Sequence, residues 1–575
     1  MKKPTLSRLL SLLLAACLLA GCGAKAQTEE AQLPTPSPAA QAELSAVPVM
    51  AEEPEKKEEC SDGVHADVDY SDLHWEMTDL TAYREIADKL SAAESGEEAQ
   101  ELYGRLLEEY TRLRTNSELA WIDMYASGGE DSSVSEACQQ LDEMVTEAGD
   151  LLYTAASAAL KGPAGEALAA YVGEHMAEEL ADYEPMTDRE AELWARETAL
   201  ELRYNELESR TDLGYSELNR QLGEIFLELI RVRNELAEIY EYDSYADFAY
   251  EHVYGRDYTP EDAAALCQAV KPYARRFYAN CSYCGALYED YGRFSAGQIM
   301  DLLAEYAPRV SPEAARARQY MADHGMYLLE KYDTVTAVGF TTVLRMYNAP
   351  FLYNALYGTA YDVFGTFHEF GHYYDAFVNQ EPKDVSIHGS YDVFEIHSTS
   401  MEALLYGWCG EIFGDAADYA RIYCLYGLVQ NVIAGCLYDE FLQYCYAHPD
   451  MTVEEVNAAY REIASSYGES FYRTVDSYYW MYVNHNFTSP FYYISYAASA
   501  LASLQVWSLA EQDRSAALEL YNDIVSRGAY GVEYFELMDQ VGLRRFSTDL
   551  TYIMLEPYKR LEYLCKNYNR SKMAA

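Results

Sequence analysis

Positive charge is scarce in this chain. Its 575 residues carry 42 Lys and Arg against 94 Asp and Glu, a formal net charge of −52. A nucleic-acid partner needs a basic face, so this balance argues against one. It equally disfavours attraction of the body to an anionic membrane surface. Internal repeats at solenoid periods are missing. Paired cysteine motifs are nearly missing as well. Cys281-Ser-Tyr-Cys284 is a lone C-x-x-C with no second pair at zinc-finger spacing, and it reads as packing. The 12 cysteines are spread too widely for a small disulfide scaffold. What the chain does have is apolar mass. Half of its residues are hydrophobic, ample for a sizeable core, and its length suits two to four domains or one large domain with an appended lobe. Tyrosine is abundant at 55 residues, so no single tyrosine stands out by its presence.

The N-terminus reads as targeting rather than fold. "MKKPTLSRLLSLLLAACLLAGC" has a basic start and an apolar run too short to span a bilayer comfortably. It ends Leu19-Ala20-Gly21-Cys22, which resembles a bacterial lipobox, in which cleavage precedes the cysteine and the thiol is lipidated. Residues 1–22 are therefore expected to be a lipoprotein signal peptide. Residues 23–62 hold Pro34, Pro36, Pro38, Pro48 and Pro54 among Ala, Gln and Glu, the composition of a flexible tether. The expected location is extracytoplasmic. Lipid on Cys22 would be the only contact with the bacterial cell membrane.

Residues 63–205 show helical periodicity, with apolar residues at three- and four-residue spacing in "LTAYREIADKL" and "AQELYGRLLEEYTRL". Gly128-Gly129 and Gly162-Pro163 punctuate it, and Thr187 with Glu190 reads as a capping box. This predicts a helical N-terminal lobe without catalytic spacing. Helices continue over 206–570. Thr259-Pro260 has the form of an N-cap followed by proline, and Thr452 with Glu455 forms another capping box. Residues 335–356 differ. They are rich in β-branched and aromatic residues, and they predict one or two strands just before the next helix.

That next helix carries "FHEFGHYYD". Residues four apart on a helix share a face, so His368 and His372 can offer imidazole nitrogens to one metal ion. Glu369 lies one step round, where its carboxylate reaches a water rather than the ion. Two surface histidines would produce the same spacing, so a third ligand decides. Downstream, in "DVFEIHSTSMEALL", Glu395, Ser398 and Glu402 fall on one face of an apolar helix. Two acids on such a face are costly to bury unless paired or metal-bound. A catalytic zinc commonly takes three protein ligands and one water. His368, His372 and Glu395 supply the three for one Zn2+ per chain. Glu402 then orients one of the histidines. His397 falls off the shared face and stays outside the set.

"FHEFGHYYD" followed by "EIHSTSMEALL", with "HNFTSPFYYISYAASALASLQVW" further on, closely resembles the M3 metallopeptidases, the thimet oligopeptidase and oligoendopeptidase F group. The resemblance covers roughly residues 200–565 and is tight in these three blocks. It implies a mainly α, two-lobed fold with a deep substrate channel. A small β-sheet is expected beside the H-E-x-x-H helix, with the zinc-peptidase catalytic domain over 206–570. It implies zinc on His368, His372 and Glu395, with Glu369 as general base. It also implies that His485 and a tyrosine among Tyr492, Tyr493 and Tyr496 hold the substrate carbonyl as charge develops on its oxygen. Many members carry His where this chain has Asp375. The implied activity is endopeptidase cleavage of short peptides by a metal-activated water. Two readings compete: a lipid-anchored protein that captures peptides without cutting them, and a metallopeptidase that releases products from one end. The first has no need of Glu369 between two histidines.

Overall fold

The computed structural model describes residues 64–574, apart from short segments at 129–131, 182, 184, 209, 211, 283, 289–290, 333–337, 381–388 and 471–473. The signal peptide and the tether expected over 1–62 lie outside the described residues.

The chain is mainly α-helical. Helices α1 (Thr81–Ser91), α2 (Gly96–Ala126) and α3 (Ser132–Leu160) open the N-terminal lobe. Ser95 caps α2 by accepting from the Glu98 amide. Leu90, Leu106, Leu141 and Leu152 meet in a core of the lobe's own. The Gly162-Pro163 break expected from sequence separates α3 from the next helix at Gly165. Thr187 opens α4 (Asp188–Glu208) with the expected capping box: its amide donates to Glu190 Oε2 at 2.6 Å, and the Glu190 amide returns to Thr187 Oγ1 at 3.3 Å. Helix α4 runs straight through position 205. Its Leu193, Tyr204 and Leu207 are buried in the larger core formed by the rest of the chain, together with α5 (Tyr215–Ile239). The capping boxes at Thr259 and Thr452 are both present.

Three strands form one sheet in the order β1–β3–β2: β1 (Tyr327–Lys331), β2 (Gly339–Leu344) and β3 (Ala349–Leu356). Strand β3 pairs parallel with β1, Tyr327 opposite Leu352, and antiparallel with β2, Gly339 opposite Asn354. Sequence predicts only the second and third strands. The first, "YLLEK", has five residues and no β-branched side chain, so nothing local distinguishes it from a helix end. Strand β2 stands at the edge of the sheet.

The sheet leads into α6 (Tyr361–Val378), followed by α7 (Tyr391–Leu405), α8 (Ala417–Tyr446) and α9 (Tyr493–Ala510). Asp362 starts α6 by accepting from the amides of Tyr357 and Thr359 at 3.0 and 2.9 Å. Small residues let α7, α8 and α9 pack closely. A Cβ at Gly435 would lie 2.6 Å from the Tyr493 carbonyl. Thr399 and Ser400 meet the Ser503 hydroxyl across the α7–α9 contact at 2.6 and 2.9 Å. The nine described cysteines are all buried and unbridged. Cys281 and Cys284 lie against Cys565 of the C-terminal helix.

Candidate metal centre

The two H-E-x-x-H histidines sit on α6, and Glu395 sits on α7 facing them. Gly371, between the histidines, makes this approach possible. A Cβ there would lie 2.6 Å from the His397 carbonyl oxygen and 2.7 Å from Ser398 Cα, both backbone atoms that cannot swing aside. Gly371→Ala is expected to push α6 and α7 apart and cost about 1–3 kcal/mol, as core overpacking does. Paired thermal-unfolding and metal-titration curves check this: both stability and metal affinity should fall.

With the helices this close, Glu395 Oε2 lies 3.6 Å from His368 Nε2 and 3.8 Å from His372 Nε2. The three donor atoms all lie within 4.8 Å of one another. Both Nε2 atoms are buried and have no hydrogen-bond partner. Buried polar atoms normally find partners, so two aligned orphans beside a carboxylate fit a shared cation. Two imidazole nitrogens and one carboxylate oxygen are a donor set suited to zinc. Glu402 completes the arrangement as expected. His368 Nδ1 and Glu402 Oε1 lie 2.7 Å apart, a contact that turns the Nε2 edge of the ring toward the centre.

Glu395 is held from two further sides. Its Oε1 accepts from the Tyr492 hydroxyl at 3.1 Å, and its Oε2 from Ser398 Oγ at 3.1 Å. Glu369 points toward the sheet. The Thr341 hydroxyl of β2 lies 3.2 Å from its Oε2 and 2.9 Å from its backbone carbonyl. A Cβ at Gly339 would stand 3.1 Å from Glu369 Oε1, so the carboxylate packs tightly against β2 at this glycine. Sequence reasoning missed Thr341, because only the sheet brings it to the helix.

Burial dominates the proton affinities. It pushes the Glu369 carboxyl up to about 8, an effect that the His368 charge opposes and the Glu395 charge reinforces. It pushes His372 well down, helped by His368. At His368 burial also works downward. The Glu402 hydrogen bond and the charges of Glu402, Glu395 and Glu369 outweigh it and raise the imidazole to about 9.

The structure brings His485 and the tyrosines together beside this cluster. Burial lowers His485 to about 4, so it is neutral near pH 7. Its Nε2 is buried with no hydrogen-bond partner. The ring stacks on Tyr492, with centroids 5.1 Å apart, and meets Tyr493 and Tyr496 edge-on. The Tyr492 hydroxyl reaches a proposed ligand, Glu395. Tyr493 packs edge-on against Tyr438 of α8. Asp375 pairs with His397, at 3.2 Å between Oδ2 and Nδ1, and neither joins the three donors.

A cavity of about 560 Å³ opens beside the centre. Thr341, Thr342 and Val343 of the edge strand line it, with His372, Glu395 and Tyr492.

No protein-family model matches the sequence, and no curated protein matches it. Solved structures do match. A candidate oligoendopeptidase F superposes with a TM-score of 0.72 at 21% identity, over 86% of this chain and 99% of that one. Pz peptidase A, solved with an inhibitor, gives 0.70 at 19% identity, over 86% of this chain and 99% of that one. A candidate oligoendopeptidase F of Bacillus anthracis gives 0.70 at 21%, over 88% and 100%. The chain has the oligoendopeptidase F fold. The mainly α architecture with a small sheet beside the H-E-x-x-H helix, expected from sequence, is that fold, and nearly the whole of each neighbour is represented.

Proposed function

We propose that this protein is a zinc-dependent oligoendopeptidase that cuts internal bonds of short peptides outside the cytoplasm, tethered by lipid on Cys22. One observation carries the reading. His368, His372 and Glu395 converge from two helices, Glu369 stands next to them, and a cavity lined by the edge strand β2 lies alongside. The oligoendopeptidase F fold supports the same substrate class. The lipobox-like N-terminus supports the location.

The residues divide the work. An extended peptide lies along β2, whose free edge can extend the sheet by backbone pairing. Zinc supplies Lewis-acid polarisation of the scissile carbonyl and lowers the pKa of a nearby water. Glu369 takes the proton from the attacking water and later hands it to the leaving amine. Thr341 keeps the carboxylate aimed for both transfers. Negative charge growing on the carbonyl oxygen is met by His485 and a tyrosine hydroxyl, where donors fixed beforehand help most. Tyr492 also steadies Glu395.

Incubating the protein with a mixed library of short peptides, with and without a zinc chelator, tests the reading by mass spectrometry. Internal cuts that vanish with the chelator are the expected result. Intact peptides from a zinc-loaded sample would favour capture without cleavage, and products trimmed only from one end would favour exopeptidase action. A second outcome concerns charge. Glu118, Glu251, Glu533 and Glu536 line the cavity, and Arg345 is itself paired with Glu118 at 3.2 Å. Peptides bearing Lys or Arg should be cut with higher kcat/KM than neutral ones. That advantage should shrink several-fold, roughly, between low and physiological salt as screening sets in; an advantage unaffected by salt would count against it.

A further inference from the structure

Arg256 is a buried cation near the centre, and the metal cluster does not account for it. Its side chain has no exposed surface. It follows a π-helical stretch, Phe248–Val253, where the Tyr254 amide reaches back to the Ala249 carbonyl. Single π-helical turns are rare and gather at functional sites. Here the turn presents Glu251 and Gly255 to the cavity and sends Arg256 inward.

The guanidinium is surrounded by the rings of Tyr250, Tyr254 and Tyr258, at 4.5, 4.4 and 5.7 Å. It touches two segments distant in sequence. Its Nε lies 3.4 Å from Asp392 Oδ2, a carboxylate that also accepts from the Tyr258 hydroxyl at 2.7 Å. One of its terminal nitrogens donates to the Phe491 carbonyl and to Ser495 Oγ, both at 2.9 Å. The Tyr254 hydroxyl ties down the neighbouring Pro490 carbonyl at 2.9 Å.

Both segments lead to the same proposed ligand. Asp392 is one helical turn before Glu395 on α7, so it shares that residue's face. Phe491 directly precedes Tyr492, whose hydroxyl donates to Glu395. Phe491 also has φ +67°, a left-handed conformation that a non-glycine residue keeps only when its surroundings impose it. Arg256 holds the carbonyl of that strained residue. The contacts close a ring: Glu395 to Asp392 along α7, then Arg256, Phe491, Tyr492 and back to Glu395.

We propose that Arg256 is a positioning residue: its planar fork fixes the Phe491 turn against α7, so that Tyr492 delivers its hydroxyl to Glu395 and aims that carboxylate at the metal. This rests on the metal-centre reading above. A fork is needed because the two contacts diverge, and a lysine ammonium is a single point of charge on a flexible stem. If Arg256 served only to neutralise Asp392, lysine would suffice and the folded protein would bind metal normally.

Zinc affinity, measured on the full-length chain by competition with a chromogenic chelator, separates the two roles. Arg256→Lys should keep the helical circular dichroism of the parent and bind zinc roughly tenfold more weakly, the lower end of what lost outer-sphere support costs. Tyr492→Phe should weaken binding comparably. The double variant should bind no more weakly than Tyr492→Phe alone, because both act through one hydroxyl. In activity assays the loss should fall on kcat rather than KM. Parental affinity in Arg256→Lys, or losses that multiply in the double variant, would overturn the proposal. Should Arg256→Lys not fold, Tyr258→Phe carries the test by freeing the Asp392 carboxylate. Its zinc affinity should drop measurably, and an unchanged value would overturn the proposal. A parent protein that binds no zinc would instead overturn the metal-centre reading itself.

Discussion

Glu369→Gln is expected to leave zinc bound and to remove peptide cleavage, with kcat falling by at least roughly 10²–10⁴, the share that a positioned general base contributes. The substitution changes almost nothing but the chemistry. Glutamine has the same length, and its carbonyl oxygen can still accept from Thr341 where Glu369 Oε2 does at 3.2 Å. What it lacks is a site for the proton of the attacking water. KM should stay near the parental value, since glutamine keeps the length of the side chain and its contact with Thr341. The pH profile gives an independent check. Burial pushes the Glu369 carboxyl up to about 8 in the metal-free protein. The carboxyl must be ionised to accept a proton, so kcat/KM should rise with pH along an acid limb. A nearby divalent cation favours the ionised form and draws that limb down from about 8 toward the ordinary carboxylate range. Any residual activity of Glu369→Gln should lack the limb. A variant that cleaved peptides at the parental rate would remove Glu369 from the mechanism.

The centre was legible in sequence to the extent that its geometry is local. His368, Glu369 and His372 lie on one helix, where a period of 3.6 residues decides which side chains share a face. Glu395 and Glu402 were legible for a different reason: acids on an otherwise apolar helix need partners. Local spacing likewise marked the capping boxes at Thr187 and Thr452 and the N-cap at Thr259. Contacts made by the tertiary fold were not legible. Thr341 reaches Glu369 only because β2 lies against α6, and β2 is held there by its pairing with β3. The choice among Tyr492, Tyr493 and Tyr496 turns on the direction in which the chain enters α9. The left-handed residue Phe491 sets that direction, and no local pattern marks it. Arg256 was invisible for the same reason, since its partners Asp392 and Phe491 are brought to it by α7 and by the turn before α9. Gly371 carried a signal of a kind. A glycine inside a helix is unfavourable by itself, and close approach of a second helix is the usual reason for keeping one.

Zinc should raise the unfolding temperature of the metal-free protein, and His372→Ala should abolish the rise. A ligand that binds only the folded state stabilises it by about 2.7 kcal/mol at a hundredfold excess over its Kd. The donors exist as a set only in the folded chain, because α6 and α7 must meet at Gly371 to assemble them. His372→Ala removes one of three, and the two that remain do not make a site of comparable affinity. The same variant fills no space and leaves a small cavity in a buried region, so its metal-free stability should drop modestly while its response to zinc disappears. The proton balance sharpens the test. In the metal-free protein His368 is pushed up to about 9 by the carboxylates around it, so it carries a proton on Nε2 at pH 7.5. Zinc must displace that proton. Affinity should therefore strengthen as pH rises toward 9, and more than one proton should be released per zinc bound near neutrality, one from His368 and most of another from Glu369. Calorimetric titration in buffers of different ionisation enthalpy reads those protons directly. A zinc response that survives His372→Ala, or binding that releases no proton and ignores pH, would place the metal somewhere other than these three residues.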